Sequence, residues 1–287
     1  MWNADKIVYR NDDSFVRAYQ GGELVWEKPS SNNKIFYTST DGQIVTPHHI
    51  DGFGSNIISN TYSEGVGVIV FDGDVTKIGY TAFGRCNTLQ TIVIPDSVTS
   101  IGSYAFSYCT SLTSITIPDS VTSIGQHSFY GCTSLTSITI PNGVTRIDIG
   151  VFENCSSLTT ITIPDSVTSI GQVAFYGCTS LTSITIPNSI KRIDIKAFER
   201  CTSLISITIP FSVRDIEYNA FKDCNQLSEV IVNAVTPPNL YPEQNTGIYN
   251  QFENNAPGRL IKVPAGSVNT YKKADGWSVY ANSIVAQ

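Results

Sequence analysis

The sequence predicts a mainly β repeat fold: a solenoid of 23-residue coils with a parallel sheet, preceded by a small β module and closed by a cap. Self-similarity at a fixed period is the signature of such repeat architectures. Here several residue types repeat the same period independently. Three of these columns are Cys86, Cys109, Cys132, Cys155, Cys178, Cys201 and Cys224; Phe83, Phe106, Phe129, Phe152, Phe175, Phe198 and Phe221; and Pro95, Pro118, Pro141, Pro164, Pro187 and Pro210.

Residues 1–30 are predicted to form a separate small β module. Lys6–Arg10, Phe15–Tyr19 and Glu23–Glu27 have the composition of three strands, joined by Asn-Asp-Asp and Gly-Gly turns. A three-stranded module of this size is only marginally stable alone. We therefore expect it to dock on the repeat stack or on another chain, beyond a linker at Pro29–Asn33.

Residues 31–65 are predicted to comprise this linker and an N-terminal cap. A repeat stack needs caps because its open ends would expose core and unpaired strand edge. The apolar residues of 66–71 fit the strand positions one period before those of 89–94. The first, imperfect coil is therefore predicted to begin near residue 66, and the solenoid to occupy residues 66–235.

Each coil is predicted to contain one strand, a turn and a second short extended segment. Leu112–Ile117 alternates β-branched apolar residues with Ser or Thr, the pattern of a half-buried strand. Pro118 lacks an amide donor and ends this strand, while Val121–Ile124 supplies the second segment before a turn at Gly125. One coil cannot bury its apolar side alone, so equivalent strands of successive coils must pair in parallel around one core.

Residues 236–287 are predicted to contain an inserted loop, a last strand and a C-terminal cap. Leu260–Pro264 repeats the strand-then-proline pattern, but its proline follows the last proline of the column by 54 residues, eight more than two periods. We assign the excess to a loop at about 236–255. The aromatic tail from Gly266 is predicted to form short helices that cover the last coil.

The composition excludes several functional classes. Only 15% of the residues are charged and the net charge is −6, so we expect no nucleic-acid partner, because such binding needs clustered Lys and Arg. No apolar run approaches the ~18 residues of a membrane span, so none is expected. The start of the chain also lacks the pattern of a signal peptide.

The candidate reactive residues favour structural roles. One cysteine per coil at one position is typical of a buried ladder, so we expect reduced structural thiols, although pairing between adjacent rungs stays geometrically open. His48 and His49 face opposite ways on an extended segment and chelate poorly, and His127 fills a variable position. The sequence shows neither a Ser–His–Asp arrangement nor a phosphate or dinucleotide loop. We therefore predict no enzyme, no cofactor and no metal.

Two rows of hydroxyl side chains on the predicted strand face form the candidate binding face. Two interpretations stay open. Ser and Thr are small residues that suit any solvent-exposed β face; alternatively, they form a recognition surface, because solenoids bind partners on extended faces. The rows consist of Ser114, Thr116, Ser137, Thr139, Thr160, Thr162, Ser183, Thr185, Ser206 and Thr208.

The repeat resembles a known family. The pattern C-x-x-L-x-x-I-x-I-P-x-x-V-x-x-I-G-x-x-A-F, present at 109–129 and 155–175, is similar to that of BspA-like, or Treponema-type, leucine-rich repeat surface proteins. The resemblance covers more than half of the chain and implies a right-handed leucine-rich repeat solenoid. Asp148, Asp194 and Glu217 replace the Gly of the pattern, where we expect a locally different turn.

The resemblance also implies a function. Such proteins are non-enzymatic binding modules, bacterial adhesins at the cell surface or secreted, which contact a protein or glycan partner on a host or neighbouring cell. The alternative is a phage- or prophage-encoded structural or receptor-contact protein, because the Gly22–Glu27 segment resembles a small module found in some phage and bacterial surface proteins. Neither resemblance indicates an oligomeric state.

Overall fold

A computed structural model describes residues 32–287 together with the strand segments 6–9, 16–20 and 23–26. The chain winds into a parallel β-solenoid of about nine coils of roughly 23 residues each, with little helix. The predicted fold class is thereby confirmed.

The N-terminal strands form their own antiparallel sheet. Its strands are β1 (Lys6–Tyr9), β2 (Val16–Gln20) and β3 (Glu23–Trp26), with β2 in the centre. Each falls within one residue of its predicted bounds. The two predicted turns and most of the predicted linker lie outside the described residues.

The N-terminal cap contains an antiparallel strand that the repeat pattern did not reveal. Strand β4 (Lys34–Ser39) is followed by a 3-10 turn at Ile50–Phe53 and by the hairpin of β5 (Ile57–Ser63) and β6 (Val66–Phe71). Strand β4 lies between β6 and the first long strand of the coils, antiparallel to both. Residues 66–71 therefore do not pair with the next coil, in contrast to the equivalent strands further along the stack. Strand β4 and the hairpin continue the sheet of the long strands at this end, so the first long strand of the coils is not an open edge.

Short and long strands alternate along the coils. In chain order they are β7 (Lys77–Ile78), β8 (Leu89–Val93), β9 (Ser100–Ile101), β10 (Ser114–Thr116), β11 (Ser123–Ile124), β12 (Ser137–Thr139), β13 (Arg146–Ile147), β14 (Thr160–Thr162), β15 (Ser169–Ile170), β16 (Arg192–Ile193), β17 (Ser206–Ile209), β18 (Asp215–Ile216), β19 (Glu229–Val232) and β20 (Asn239–Leu240). Partners within the repeats lie one period apart, for example Ser137 opposite Thr160. In the coil without a long strand, Thr185 makes a single parallel bridge to Thr208.

The core is a set of ladders running through the coils. The phenylalanine rings from Phe83 to Phe221 and then Phe252 lie face to face, with centroids of neighbouring rings 5.2–5.6 Å apart and interplanar angles of at most 17°. All are 0–1% exposed. Leucine, isoleucine and cysteine ladders pack beside them, so one core runs from the cap to the last coil.

The last coils differ from the prediction. Residues 236–255 are not one inserted loop, because β20 pairs with β18 and Phe252 stacks on Phe221 within that range. The insertion is confined to the segment between β20 and Phe252. Strand β21 (Leu260–Val263) is not the last strand either, since it pairs in parallel with β22 (Ile284–Ala286).

Helical turns cover the C-terminal end, as predicted for the tail. They are α1 (Val268–Lys273) and 3-10 helices at Ala265–Ser267 and Trp277–Ser283. The buried Trp277 Nε1 donates a hydrogen bond to Pro238 O at 2.7 Å. Buried ring nitrogens need such a partner, so this bond fixes the tail against the preceding coil.

The turn that follows each short strand explains the glycine of the repeat. A Cβ atom on Gly125 would lie 2.5 Å from the amide nitrogen of Ser103 in the previous coil, so the coils approach too closely for a side chain. Asp148 and Asp194 change this turn locally, because each carboxylate accepts the amide of the following residue at 3.1 Å. Glu217 instead keeps the amide-to-carbonyl bond to the previous coil, at 3.0 Å.

Candidate functional site

The two predicted hydroxyl rows lie on the outer side of the long strands, and we call this surface the strand face. Its members are Ser114, Thr116, Ser137, Thr139, Thr160, Thr162, Ser183, Thr185, Ser206 and Thr208; all are exposed except Ser206, which is half-buried. The residues between them, such as Ile138 and Ile161, are buried. Strand alternation therefore places the rows on one side and the core on the other.

The strand-face hydroxyls have no hydrogen-bond partner within residues 32–287. Other Ser and Thr columns are used internally. Thr113 and Thr159 donate to carbonyl oxygens of the preceding coil at 3.2 and 3.1 Å, and Ser120 donates to Val98 O at 2.6 Å. Those columns therefore tie coil to coil, whereas the strand-face hydroxyls remain available to water or to a ligand.

Different chemistry bounds the strand face at its two ends. At the N-terminal end, Phe36, Val66 and Val93 form a small apolar cluster on the outside of the sheet. At the C-terminal end, Lys262 forms an ion pair with Glu229, which stands opposite Ser206 in the ladder. The uncharged hydroxyl surface thus extends only over the coils from β10 to β17.

The cysteine column is a ladder of thiol hydrogen bonds. Each Sγ from Cys109 to Cys224 donates to the carbonyl of the phenylalanine 26 residues earlier, over 3.0–3.2 Å. All seven cysteines are free and buried. Burial raises the pKa of Cys155 and Cys224 to about 12. The nucleophilic thiolate is therefore suppressed, and the column acts in packing.

The histidines do not converge. His48 and His49 are exposed, and the His49 ring lies 6.1 Å from that of Tyr80. His127 is half-buried, stacks on Tyr104 with ring centroids 5.0 Å apart, and its Nδ1 lies 3.4 Å from Glu153 Oε2. Burial lowers the pKa of His127 and raises that of Glu153, so both groups are pushed towards their neutral forms.

Charged residues collect along one side of the later coils. Arg192 lies 2.9 Å from Glu217 and 3.3 Å from Asp194. Burial also raises the pKa of Glu217 and of Glu199, a buried carboxylate whose nearest cation is Lys196 at 3.5 Å. Within residues 32–287, no three His, Cys, Asp or Glu side chains are grouped as a metal site would require.

The structure has one surface depression that the sequence pattern did not predict. It has a volume of about 550 Å³ and lies between the turn at Phe211–Arg214 and the loop at Ala234–Asn239. Phe211 is 67% exposed and stands where earlier coils have the Asp or Asn of their turns, a substitution that could have signalled it. The residues that line the depression include Arg214 but no carboxylate and no imidazole, so the depression offers no acid–base pair.

The described residues contain no helix with the length and apolarity to cross a bilayer.

Comparison with known proteins identifies the repeat. A family model described as the BspA type leucine rich repeat region matches in six copies, over residues 55–181 and 122–238. The two ranges together cover more than half of the chain. The match gives the phage alternative no support. No curated protein is similar enough to count as a match.

Several solved structures are similar. The leucine-rich repeat protein of T. pallidum is 31% identical, with a TM-score of 0.50 over 54% of this chain and 73% of that chain. A leucine rich cell surface protein from Faecalibacterium prausnitzii A2-165 is 29% identical over 61% of each chain, with a TM-score of 0.39. A leucine-rich repeat protein from Bacteroides ovatus ATCC 8483 is 21% identical over 99% of this chain and 81% of that chain, with a TM-score of 0.42.

Proposed function

The chain belongs to the BspA type leucine rich repeat family, and from this membership we propose that it is a non-enzymatic binding module that acts at the bacterial cell surface or after secretion. In this proposal it is an adhesin that contacts a protein on a host or neighbouring cell. The strand face is its contact surface. Extended sheet faces are the surfaces that solenoids use for partners.

The state of the strand-face hydroxyls is the observation that carries the proposal. The columns beside them donate to the protein's own carbonyls, whereas the hydroxyls of Ser137, Thr139, Thr160 and Thr162 have no partner within residues 32–287. These four form a registered block, since Ser137 stands opposite Thr160 and Thr139 opposite Thr162. The paired strands hold these hydroxyl-bearing residues at regular spacings, so a partner's polar groups can meet them without rearrangement of the backbone, which lowers the entropic cost of binding.

The non-enzymatic part of the proposal rests on where the reactive groups lie. The thiols point into the core and donate to carbonyls, and burial holds them protonated. The strand face itself carries only alcohols, without a base beside them to activate one as a nucleophile. Such a surface suits recognition and not turnover.

Charge placed on the strand face tests the proposal. We expect Thr139→Lys combined with Thr162→Lys to reduce binding to immobilised extracellular-matrix proteins and to intact cells at least tenfold, because each desolvated ammonium lacks a partner. Both positions are exposed, so the fold should be retained, as circular dichroism would show.

A matched control places the same charge elsewhere on the coils. Ser123 and Thr145 are exposed residues near the short strands, and Ser123→Lys with Thr145→Lys adds the same two cations. This control should bind as the unmodified protein does. Equal binding by both double variants would show that the strand face is not the contact surface.

A further inference from the structure

A group of aromatic side chains lies on the outer turns of the first coils, away from the strand face. We call Tyr80, Tyr104, Tyr108, His127 and Tyr130 the aromatic patch. Tyr80 is 61% exposed and Tyr108 38% exposed, and the other three are half-buried. Large aromatic side chains exposed together on one surface mark interaction sites more often than single exposed residues do.

The rings of the patch form one continuous surface. Tyr80 lies 6.0 Å from Tyr104, which stacks on His127 with centroids 5.0 Å apart. Tyr130 is 5.7 Å from His127 and 4.7 Å from Tyr108, so it joins a second row to the first. The rings hold one another in place, and little side-chain entropy is left to lose when a ligand stacks on them.

The backbone beneath the patch is costly for these residue types. Tyr104, Tyr108 and His127 have φ values of 58°, 56° and 53°, in the left-handed region that favours glycine. Every coil repeats this conformation at the two positions, with glycine at Gly131, Gly150 and Gly177 and with other residue types in later coils, such as Val173, Lys196 and Arg200. The left-handed turn therefore belongs to the repeat, and the aromatic side chains placed on it are what distinguishes the first coils.

The charge around the patch indicates what it binds. The Arg85 guanidinium lies 5.1 Å from the centre of the Tyr108 ring, and Glu153 lies beside His127, so one cation and one anion balance. Burial lowers the pKa of His127, which favours the neutral imidazole. Single-stranded nucleic acids stack on aromatic rings but need a positively charged groove as well, which one arginine does not supply.

Ring faces bordered by phenolic hydroxyls and by exposed polar residues such as Gln126 suit a ligand that is apolar on one face and rich in hydroxyls at its edge. A pyranose ring has this chemistry. We propose that the aromatic patch binds a neutral oligosaccharide, with a sugar ring stacked on Tyr80, the most exposed ring of the patch, and with sugar hydroxyls bonded at the edges of the other rings. This site is separate from the strand face and does not depend on the function proposed for it.

An array of immobilised neutral oligosaccharides, built from hexoses and N-acetylhexosamines, tests the proposal with the full chain. We expect at least one neutral oligosaccharide to bind at sub-millimolar protein concentration. Tyr80→Ala should weaken that binding about tenfold, the equivalent of one lost aromatic stacking contact. Tyr80→Phe keeps the ring and should retain most of the affinity.

Two control variants show whether glycan binding belongs to the aromatic patch. Tyr241→Ala removes a tyrosine outside the patch whose exposure, 41%, is close to the 38% of Tyr108, and it should leave glycan binding unchanged. The strand-face variant Thr139→Lys with Thr162→Lys should bind the glycan normally even where it no longer binds matrix proteins. The proposal is overturned if no neutral glycan binds, if only polyanions such as heparin bind, or if Tyr80→Ala combined with Tyr108→Ala binds as tightly as the unmodified chain.

Discussion

The stacked phenylalanine ladder allows the contribution of one rung to stability to be calculated. Phe152 is 0% exposed, and its ring centroid lies 5.6 Å from that of Phe129 and 5.5 Å from that of Phe175. Phe152→Ala removes the buried ring and leaves a cavity between two others, which costs about 3–5 kcal/mol. Phe152→Leu keeps most of the apolar volume but loses two ring pairs of about 0.5–1.5 kcal/mol each, so we expect a cost of about 1–3 kcal/mol.

Urea unfolding followed by far-UV circular dichroism measures both costs. Thr160→Ala is the control, because an exposed strand-face substitution should change stability by no more than about 0.5 kcal/mol. If Phe152→Ala cost less than about 1 kcal/mol, the coils would be held by their backbone ladders and not by the aromatic column. If Phe152→Leu cost as much as Phe152→Ala, the shape of the ring and not its stacking would dominate.

Three further predictions concern other parts of the coils. The thiols should not react with a disulfide reagent in the folded protein and should all react in denaturant, since burial raises the pKa of Cys155 and Cys224 to about 12; rapid reaction in buffer would contradict their burial. Glu199→Gln should stabilise the protein at pH 7 by about 1 kcal/mol. Because burial raises the folded-state pKa of Glu199, its charged form costs stability above that pKa, so thermal melts should show the advantage shrinking as the pH falls towards 4. Gly177→Ala should destabilise by about 1–3 kcal/mol in urea unfolding, because φ is 70° and the new Cβ would lie 2.4 Å from Asn154 Oδ1; Gly266→Ala, with open space around its Cα, is the control and should be nearly neutral.

The repeating part of the fold was predictable because each coil solves the same burial problem with the same residue types. Where the period breaks, the sequence no longer indicates which strands pair or which residues stack. Strand β4 pairs with β8, about 50 residues later, and nothing local in either strand specifies that partner. Phe252 occupies the phenylalanine column 31 residues after Phe221, a spacing that no period of 23 would find. Strand β22 was missed for the same reason, because helical turns separate it from β21 in the sequence. Only the three-dimensional structure shows that it continues the ladder of parallel strands.

The candidate surfaces were predictable to different degrees. Strand alternation placed the hydroxyl rows correctly, but it could not show which hydroxyls the protein itself uses. Thr113 and Thr116 lie three residues apart, yet only Thr113 donates to the preceding coil, because that depends on the reach from one coil to the next. The aromatic patch left a trace in the sequence, since no later coil has a tyrosine at the position of Tyr104 or of Tyr108. Their contact with Tyr130 becomes visible only when the coils are stacked.

The two proposed surfaces differ in how their binding strength depends on the number of coils. Residues 118–163 and 164–209 are near-copies, so the unit that lengthened the chain also lengthened the strand face by two rungs each time. Contacts along such a face accumulate coil by coil, in the same way that the stability of a repeat stack does. The aromatic patch takes three residues from the coils before the copies and His127 and Tyr130 from the first copy, whereas the second copy has Val173 in place of His127. Duplication can therefore strengthen binding along the strand face while it leaves the aromatic patch as a single site at one end of the stack.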